Sequence, residues 1–288
     1  MTLPNFMIIG VAKAGTTSLF RYLDQHPQVF MCRIKASNYF GYQDARDWRW
    51  IDEGAPPRRR NFRIRTFEAY EALFDGVTDE IAVGEASPQY FRCPTAAKRI
   101  RETIPNAKLV ASLRNPADRA FSGFLMRWRR GDAVMGIEQE FSPQASHVKE
   151  GFYYERLKRY FDAFPRDQIK ICIFEDFKQD PTGTVVDLFE FLGVDASFVP
   201  DTSTRHNTAG VPKRRWLNRF FYHPPLVRTA KAMLPESMQG KVKQFRQRNQ
   251  SKPPAFPAEQ RAELLDLYRQ DILQLESLLD RDLSAWLA

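Results

Sequence analysis

The sequence predicts an α/β fold in a single domain: a central parallel sheet flanked by helices, with a phosphate-binding, P-loop-like glycine loop near the start. Three observations carry this. A short apolar run, Phe6 to Ile9, leads through a loop of small residues into a helical pattern. Strand-like runs then alternate with helical ones at spacings that need crossovers, the arrangement of a parallel sheet covered on both faces. Polar residues with chemical potential fall at the C-terminal ends of those runs, where such sheets place their ligands.

The first unit is the most specific. Phe6 to Ile9 reads as a buried strand, and Leu19, Phe20, Tyr22 and Leu23 share one side of the helix that follows. Between them lies Gly10-Val11-Ala12-Lys13-Ala14-Gly15-Thr16-Thr17. Strand, glycine loop and helix start together aim backbone N–H groups and the positive end of a helix dipole at an anion. Lys13 adds a mobile charge, and Thr16 and Thr17 add hydroxyl donors. An ordinary strand-to-helix turn would account for the glycines but not for the lysine and threonines. Nor is this a Walker A loop. Gly10 and Gly15 keep the spacing of G-x-x-x-x-G-K-[ST], yet Thr16 stands where the lysine belongs and the lysine has moved inside, to Lys13. Such a loop suits one phosphate group, not the β- and γ-phosphates of ATP.

The remaining elements follow in order. His26-Pro27 stops the first helix, since the residue before a proline avoids helical backbone. Val29 to Cys32 is a second strand, followed by Arg33 to Phe40 and then by residues 41–65, which lack any period and read as a surface excursion. Phe67 to Phe74 is helical, Ile81 to Gly84 a buried strand, and Glu85 follows at its end. Pro94 to Thr103 is a helix, and Lys108 to Leu113 a strand that delivers Arg114. Pro116 fits the first turn of a helix reaching Arg130. Phe152 to Phe164 is helical, Ile169 to Phe174 a strand, and Pro181 to Leu192 a helix ended by Gly193. Arg205 to Lys252 carries twelve Lys or Arg and one acid, Glu236. Gln260 to Leu279 is amphipathic, and its stripe of Leu264, Leu265, Tyr268, Ile272, Leu275 and Leu279 reads as core packing. With no repeat and no second glycine loop, residues 1–288 form one domain, 205–288 being a basic, mainly helical extension packed on it.

Composition narrows the partners. Forty-three basic against thirty-five acidic residues leave a net charge of +8, which suits an anionic ligand, nucleic acid or a membrane surface. Three cysteines form no CxxC pair and there are four histidines, so no metal site is expected. No secretory segment is recognised before the first strand, and no apolar run reaches membrane-spanning length. A cytoplasmic protein without membrane or nucleic-acid partners is the expectation.

Two motifs about a hundred residues apart now carry a resemblance. Lys13-Ala14-Gly15-Thr16-Thr17-Ser18-Leu19, with Leu113-Arg114-Asn115-Pro116, Arg119 and Ser122, resembles the sulfotransferases that use 3′-phosphoadenosine 5′-phosphosulfate (PAPS), in particular their heparan-sulfate-like and bacterial branch. Gly84-Glu85-Ala86-Ser87-Pro88 is similar to that family's GE-x-SP segment, Gly151-Phe152-Tyr153 with Leu157 to its GxY…L helix start, and Asn207 to Trp216 to its late loop. The resemblance implies that Lys13, Ala14, Gly15, Thr16, Thr17 and Ser18 hold the 5′-phosphosulfate and that Arg114 and Ser122 hold the 3′-phosphate. It places Tyr153, Gly210, Lys213 and Arg214 beside the nucleotide, with adenosine 3′,5′-bisphosphate (PAP) as product and no metal. Sulfuryl transfer rewards positioning and charge stabilisation, and Lys13 would neutralise charge on the bridging oxygen.

The pattern breaks at one informative place. Relatives carry a general-base glutamate in a K-E-P-x-F/Y-F segment, and here the aligned run is Lys35-Ala36-Ser37-Asn38-Tyr39-Phe40. Glu85 is the leading replacement base; equally it is a buried charge paired with a loop cation. His206 and Asp44 are weaker candidates. Lys35, Asn38, Tyr39, Phe40 and Trp48 are the expected acceptor-pocket residues. The acceptor would be a hydroxyl or an amine nitrogen of a small molecule, as in natural-product tailoring, or of a saccharide. Two rivals remain: an ATP-dependent small-molecule kinase, which calls for a lysine after Gly15, and a basic nucleic-acid-binding protein, which calls for steep salt dependence.

Overall fold

The computed structural model describes residues 2–41, 64–130, 140–204, 211–212, 250–251 and 253–288. Its centre is a five-stranded sheet of β1 (Phe6–Gly10), β2 (Val29–Met31), β3 (Ala82–Ala86), β4 (Lys108–Leu113) and β5 (Ile169–Ile173). The strand order is β2-β3-β1-β4-β5 and every pairing is parallel, as the alternation of strands and helices predicts. All five residues of β1 are buried, the property that makes a central strand read as a continuous apolar run. Phe6 lies opposite Gly84, where an added Cβ would fall 2.1 Å from the Phe6 ring, so only glycine lets that ring cross β3.

Side chains of β1 alternate between two faces. Phe6 and Ile8 join Leu19, Phe20 and Leu23 of α1 (Thr16–Leu23) in one buried cluster, which also takes in Cys172 of β5 and Val185, Leu188 and Phe189 of a later helix, Pro181–Leu192. That later helix ends on Gly193 at φ 81°, as the sequence predicts. The helices between are α2 (Phe67–Glu71), α3 (Ala96–Thr103), α4 (Pro116–Arg130), α5 (Ser146–Lys149), α6 (Tyr154–Ala163) and α7 (Phe174–Gln179); Pro181–Leu192 is α8 and Ala258–Leu279 is α9. The six apolar residues of the α9 stripe are all buried.

The structure differs from the sequence reading at several boundaries. Helix α1 ends at Leu23, and His26 instead locks the turn: its Nδ1 accepts from Gln28 N at 3.0 Å and its Nε2 lies 2.9 Å from Asp195 O. Strand β3 continues to Ala86, so Glu85 sits inside the strand and not beyond it. Strand β5 stops at Ile173, and Phe174 opens α7, which has Glu175 and Asp176 in its first turn where a helix dipole favours acids.

The chain gathers into two compact units. One comprises residues 1–116, 152–207 and 269–288 and holds the five-stranded sheet. The other comprises residues 117–151 and 208–268. Within the second, Val211–Pro212 pairs antiparallel with Gln250–Ser251, Phe121 stacks on Phe256 at 4.5 Å, and buried Arg119 pairs with Glu150 at 3.0 Å and donates to the His147 carbonyl.

Candidate active site

The glycine loop is tied to β4 at two points. Val11 N donates to Ser112 O at 2.8 Å, and Ser112 Oγ donates to Ala14 O at 2.5 Å. Lys13 and Gly15 both have left-handed backbone, φ 77° and 83°. At Gly15 the missing Cβ also admits Phe177 and Phe174, whose ring atoms would stand 3.0 and 3.1 Å from it. Lys13 has a Cβ in the same backbone region, at a cost of about 1–2 kcal/mol, so the loop's central lysine is held there by its surroundings. Gly15 caps α1 without a side-chain bond and the first turn has no acid, which leaves the positive end of the helix unopposed by its own sequence. Lys35 reaches in from beyond β2, and its Nζ donates to Thr17 Oγ1. Burial, and then the nearby Arg21 charge, lower the Lys35 ammonium to about 8.

Arg114 meets this loop from the end of β4. Its Nη1 donates to Lys13 O at 3.3 Å, and its guanidinium lies over the Phe174 ring, 4.8 Å from the centroid. Two residues separated by a hundred positions in the chain are thus neighbours at the ligand edge of the sheet. Tyr153, placed by resemblance beside the nucleotide, spends its hydroxyl on the Arg114 carbonyl at 2.9 Å. Ser122 lies in the second turn of α4, half-buried, in the second compact unit.

Glu85 has a different occupation from the one its position suggests. It is fully buried, and both carboxylate oxygens are taken. Oε1 accepts from Tyr70 OH at 2.9 Å and Tyr90 OH at 2.8 Å; Oε2 accepts from Ser37 Oγ at 2.5 Å and Ser87 Oγ at 3.0 Å. A carboxylate offers about four lone-pair sites, and four hydroxyls fill them. Burial pushes its pKa up while those hydroxyl bonds push it down. The expectation of Glu85 as general base is therefore corrected: it has no lone pair left for an acceptor's proton, and its partners are hydroxyls, not a loop cation. The same hydroxyls accept from backbone in turn, Ser87 Oγ from Asn38 N at 3.0 Å, Ser37 Oγ from Tyr39 N at 3.5 Å and Tyr90 OH from Phe40 N at 3.4 Å. One carboxylate fixes three consecutive N–H groups.

The segment so held contains the residues expected around the acceptor. Ala36 and Asn38 are left-handed, φ 63° and 56°, and Ala36 is exposed where relatives carry the glutamate. Tyr39 and Phe40 pack into the core. Both are buried, Tyr39 stacked on Tyr70 at 4.6 Å and Phe40 edge-on to Tyr70 at 5.2 Å, because apolar rings beside a buried carboxylate pack inward. Lys35 and Asn38 are half-buried. Trp48, Gly210, Lys213 and Arg214, together with Asp44 and His206, lie outside the described residues. Sequence reasoning gave no role to Ser112, Ser37, Ser87, Tyr70 and Tyr90, although Ser87 stands in the GE-x-SP segment, Ser37 in the run Lys35 to Phe40 and Ser112 inside the apolar run Lys108 to Leu113.

A parallel sheet whose first strand feeds a glycine loop, met by an arginine that follows the adjoining strand, defines an α/β fold of the phosphate-loop type. The chain belongs to the sulfotransferase family, whose profile matches residues 4–198. A solved sulfotransferase from Alicyclobacillus acidocaldarius superposes with a TM-score of 0.71 at 32% identity, over 99% of each chain. The membrane-associated sulfotransferase kil1 of Dictyostelium discoideum is 33% identical over 143 residues, which is 49% of this chain and 27% of that protein. The bifunctional heparan sulfate N-deacetylase/N-sulfotransferase 2 of Homo sapiens is 26% identical over 215 residues, 67% of this chain and 22% of that protein. The chain thus spans about a quarter of the length of the curated relatives it matches. Neither the kinase nor the nucleic-acid-binding alternative finds support among these comparisons.

Proposed function

We propose that this protein transfers the sulfuryl group of PAPS to a hydroxyl or amine nitrogen of a small molecule or saccharide, releasing PAP. The observation that carries the reading is the meeting of the Lys13 loop with Arg114, the former built for one anionic group and the latter a planar fork suited to a second. The residues fit such a ligand. Left-handed Lys13 and Gly15 turn the loop's backbone, the start of α1 carries no acid, and Thr16, Thr17 and Ser18 add hydroxyls. Lys13, Ala14, Gly15, Thr16, Thr17 and Ser18 would hold the 5′ end, and Arg114 the 3′-phosphate. Bound PAPS supplies an activated sulfuryl group. Lys13 meets negative charge that builds on the leaving side, and Lys35, held on Thr17, brings a second positive charge to the same loop. Tyr153 acts behind Arg114 and not on the nucleotide. The exposed Ala36 leaves room on the acceptor side, which favours a bulky natural product or sugar.

The test is Lys13→Ala assayed with labelled PAPS against a panel of phenols, alcohols, amines and glycans. Turnover should fall roughly 10²–10³-fold, the range for removing a group aimed at transition-state charge. Turnover near the wild-type rate would remove Lys13 from the mechanism. Thermal stabilisation by PAP but not by ATP with magnesium separates the reading from a kinase.

A further inference from the structure

The C-terminal residues hold the arginine of β4. Resting on the reading of Arg114 as the ligand of the 3′-phosphate, we infer that Asp271, Tyr153 and the Asn115–Trp286 link are positioning residues that fix where Arg114 is presented, and so set the preference for a nucleotide phosphorylated at the 3′ position.

The bonds converge on two adjacent peptide units. The Arg114 carbonyl accepts from Tyr153 OH at 2.9 Å. The next residue, Asn115, is buried; its N–H donates to Glu175 Oε1 at 3.2 Å and its Nδ2 to the Trp286 carbonyl at 2.9 Å. Tyr153 is itself held. Asp271 of α9 accepts from Tyr153 N at 2.7 Å and from Tyr154 N at 3.1 Å, capping the start of α6, whose own cap residue supplies no side-chain bond. The Tyr153 ring meets Trp286 edge-on at 6.3 Å, and both rings are buried. Residues from three distant parts of the chain, 153, 175 and 271–286, therefore restrain one turn after β4.

What that turn presents is the guanidinium, stacked on Phe174 and bonded to Lys13 O. With the backbone fixed at its carbonyl and at the following N–H, the arginine keeps only its side-chain torsions. A planar fork on a fixed stem loses less freedom when it takes a phosphate bidentately. A misplacement of about 1 Å in a positioned group is enough to cost heavily. A tie-down of the C-terminus alone would affect all ligands alike, whereas a brace for Arg114 affects only those with a 3′-phosphate.

The experiment titrates the full chain with PAP and with adenosine 5′-phosphate, for wild type, Tyr153→Phe, Asp271→Asn and Asn115→Ala, the last removing the donor to the Trp286 carbonyl. The wild type should prefer PAP. Each variant should lose roughly tenfold of that preference while its affinity for adenosine 5′-phosphate stays within about twofold. Tyr153→Phe removes one hydroxyl from an otherwise intact ring and decides the matter if the other two fail to fold. An unchanged preference in that variant overturns the inference, as does equal weakening of both ligands. A wild type that binds the two nucleotides alike overturns the reading of Arg114 itself, a failure visible before any variant is made.

Discussion

Glu85, inside β3, and Arg114, just after β4, are two charged residues on the C-terminal side of the sheet, and the two have opposite relations to the backbone. Glu85 organises backbone: three of its four hydroxyl partners, those of Ser37, Ser87 and Tyr90, accept in turn from the N–H groups of residues 38–40. Arg114 is organised by backbone: Tyr153 OH holds its carbonyl, and its half-buried guanidinium reaches the loop. For Glu85 the four lone pairs are consumed by hydroxyls inside the protein.

The largest expected effect is on stability at β3. Glu85→Ala leaves four buried hydroxyls without their acceptor and should destabilise the fold by about 3–5 kcal/mol, read by urea unfolding. Arg114→Ala should stay within about 1 kcal/mol of wild type in the same assay and instead weaken PAP binding roughly 10–100-fold. A Glu85 variant that keeps its stability but stops sulfuryl transfer would return the carboxylate to the role of base and erase the contrast.

Lys35 supplies a smaller, pH-dependent effect. Below about 8 it is an ammonium beside Thr17 and attracts an anion; above, it is neutral. Bound anion raises its pKa, so binding takes up a proton and PAP affinity should fall with rising pH through about 8, by up to about tenfold per unit. Burial, and after it the Arg21 charge, set that value. Lys35→Arg should flatten the profile, and an unflattened one would show that another group titrates.

How much of this was legible follows from the kind of interaction involved. The parallel sheet, the loop and Arg114 showed because each leaves a local mark: an apolar run, a glycine spacing, a charge after a strand. Gly193 announced the end of α8 for the same reason. The Glu85 cluster left only the Glu85–Ser87 pair of the GE-x-SP segment, since its other hydroxyls come from positions 37, 70 and 90. The brace on Arg114 joins residues 171 positions apart through a backbone carbonyl, which no side-chain pattern encodes. The short helix α7 was lost because Phe174 extends the apolar run of β5 and hides the boundary.

The smallest effect tests whether the β3 carboxylate shapes the segment that it holds. Ala36 and Asn38 are left-handed, and Ala36 N is also pinned to Ala86 O at 2.8 Å. A left-handed alanine is strained relative to glycine, while glycine is freer in the unfolded chain, so Ala36→Gly should stabilise by roughly 0.5 kcal/mol net. If Glu85 imposes the backbone shape, that gain should vanish in a Glu85→Gln background, where an amide cannot accept from all four hydroxyls and the segment relaxes on its own. A double-mutant cycle reads the difference as a coupling energy of about 0.5 kcal/mol. Equal gains in both backgrounds would mean that the shape comes from within the segment, through the Asn38 Nδ2 bond to Ala36 O at 2.9 Å, and that Glu85 only anchors a turn already formed.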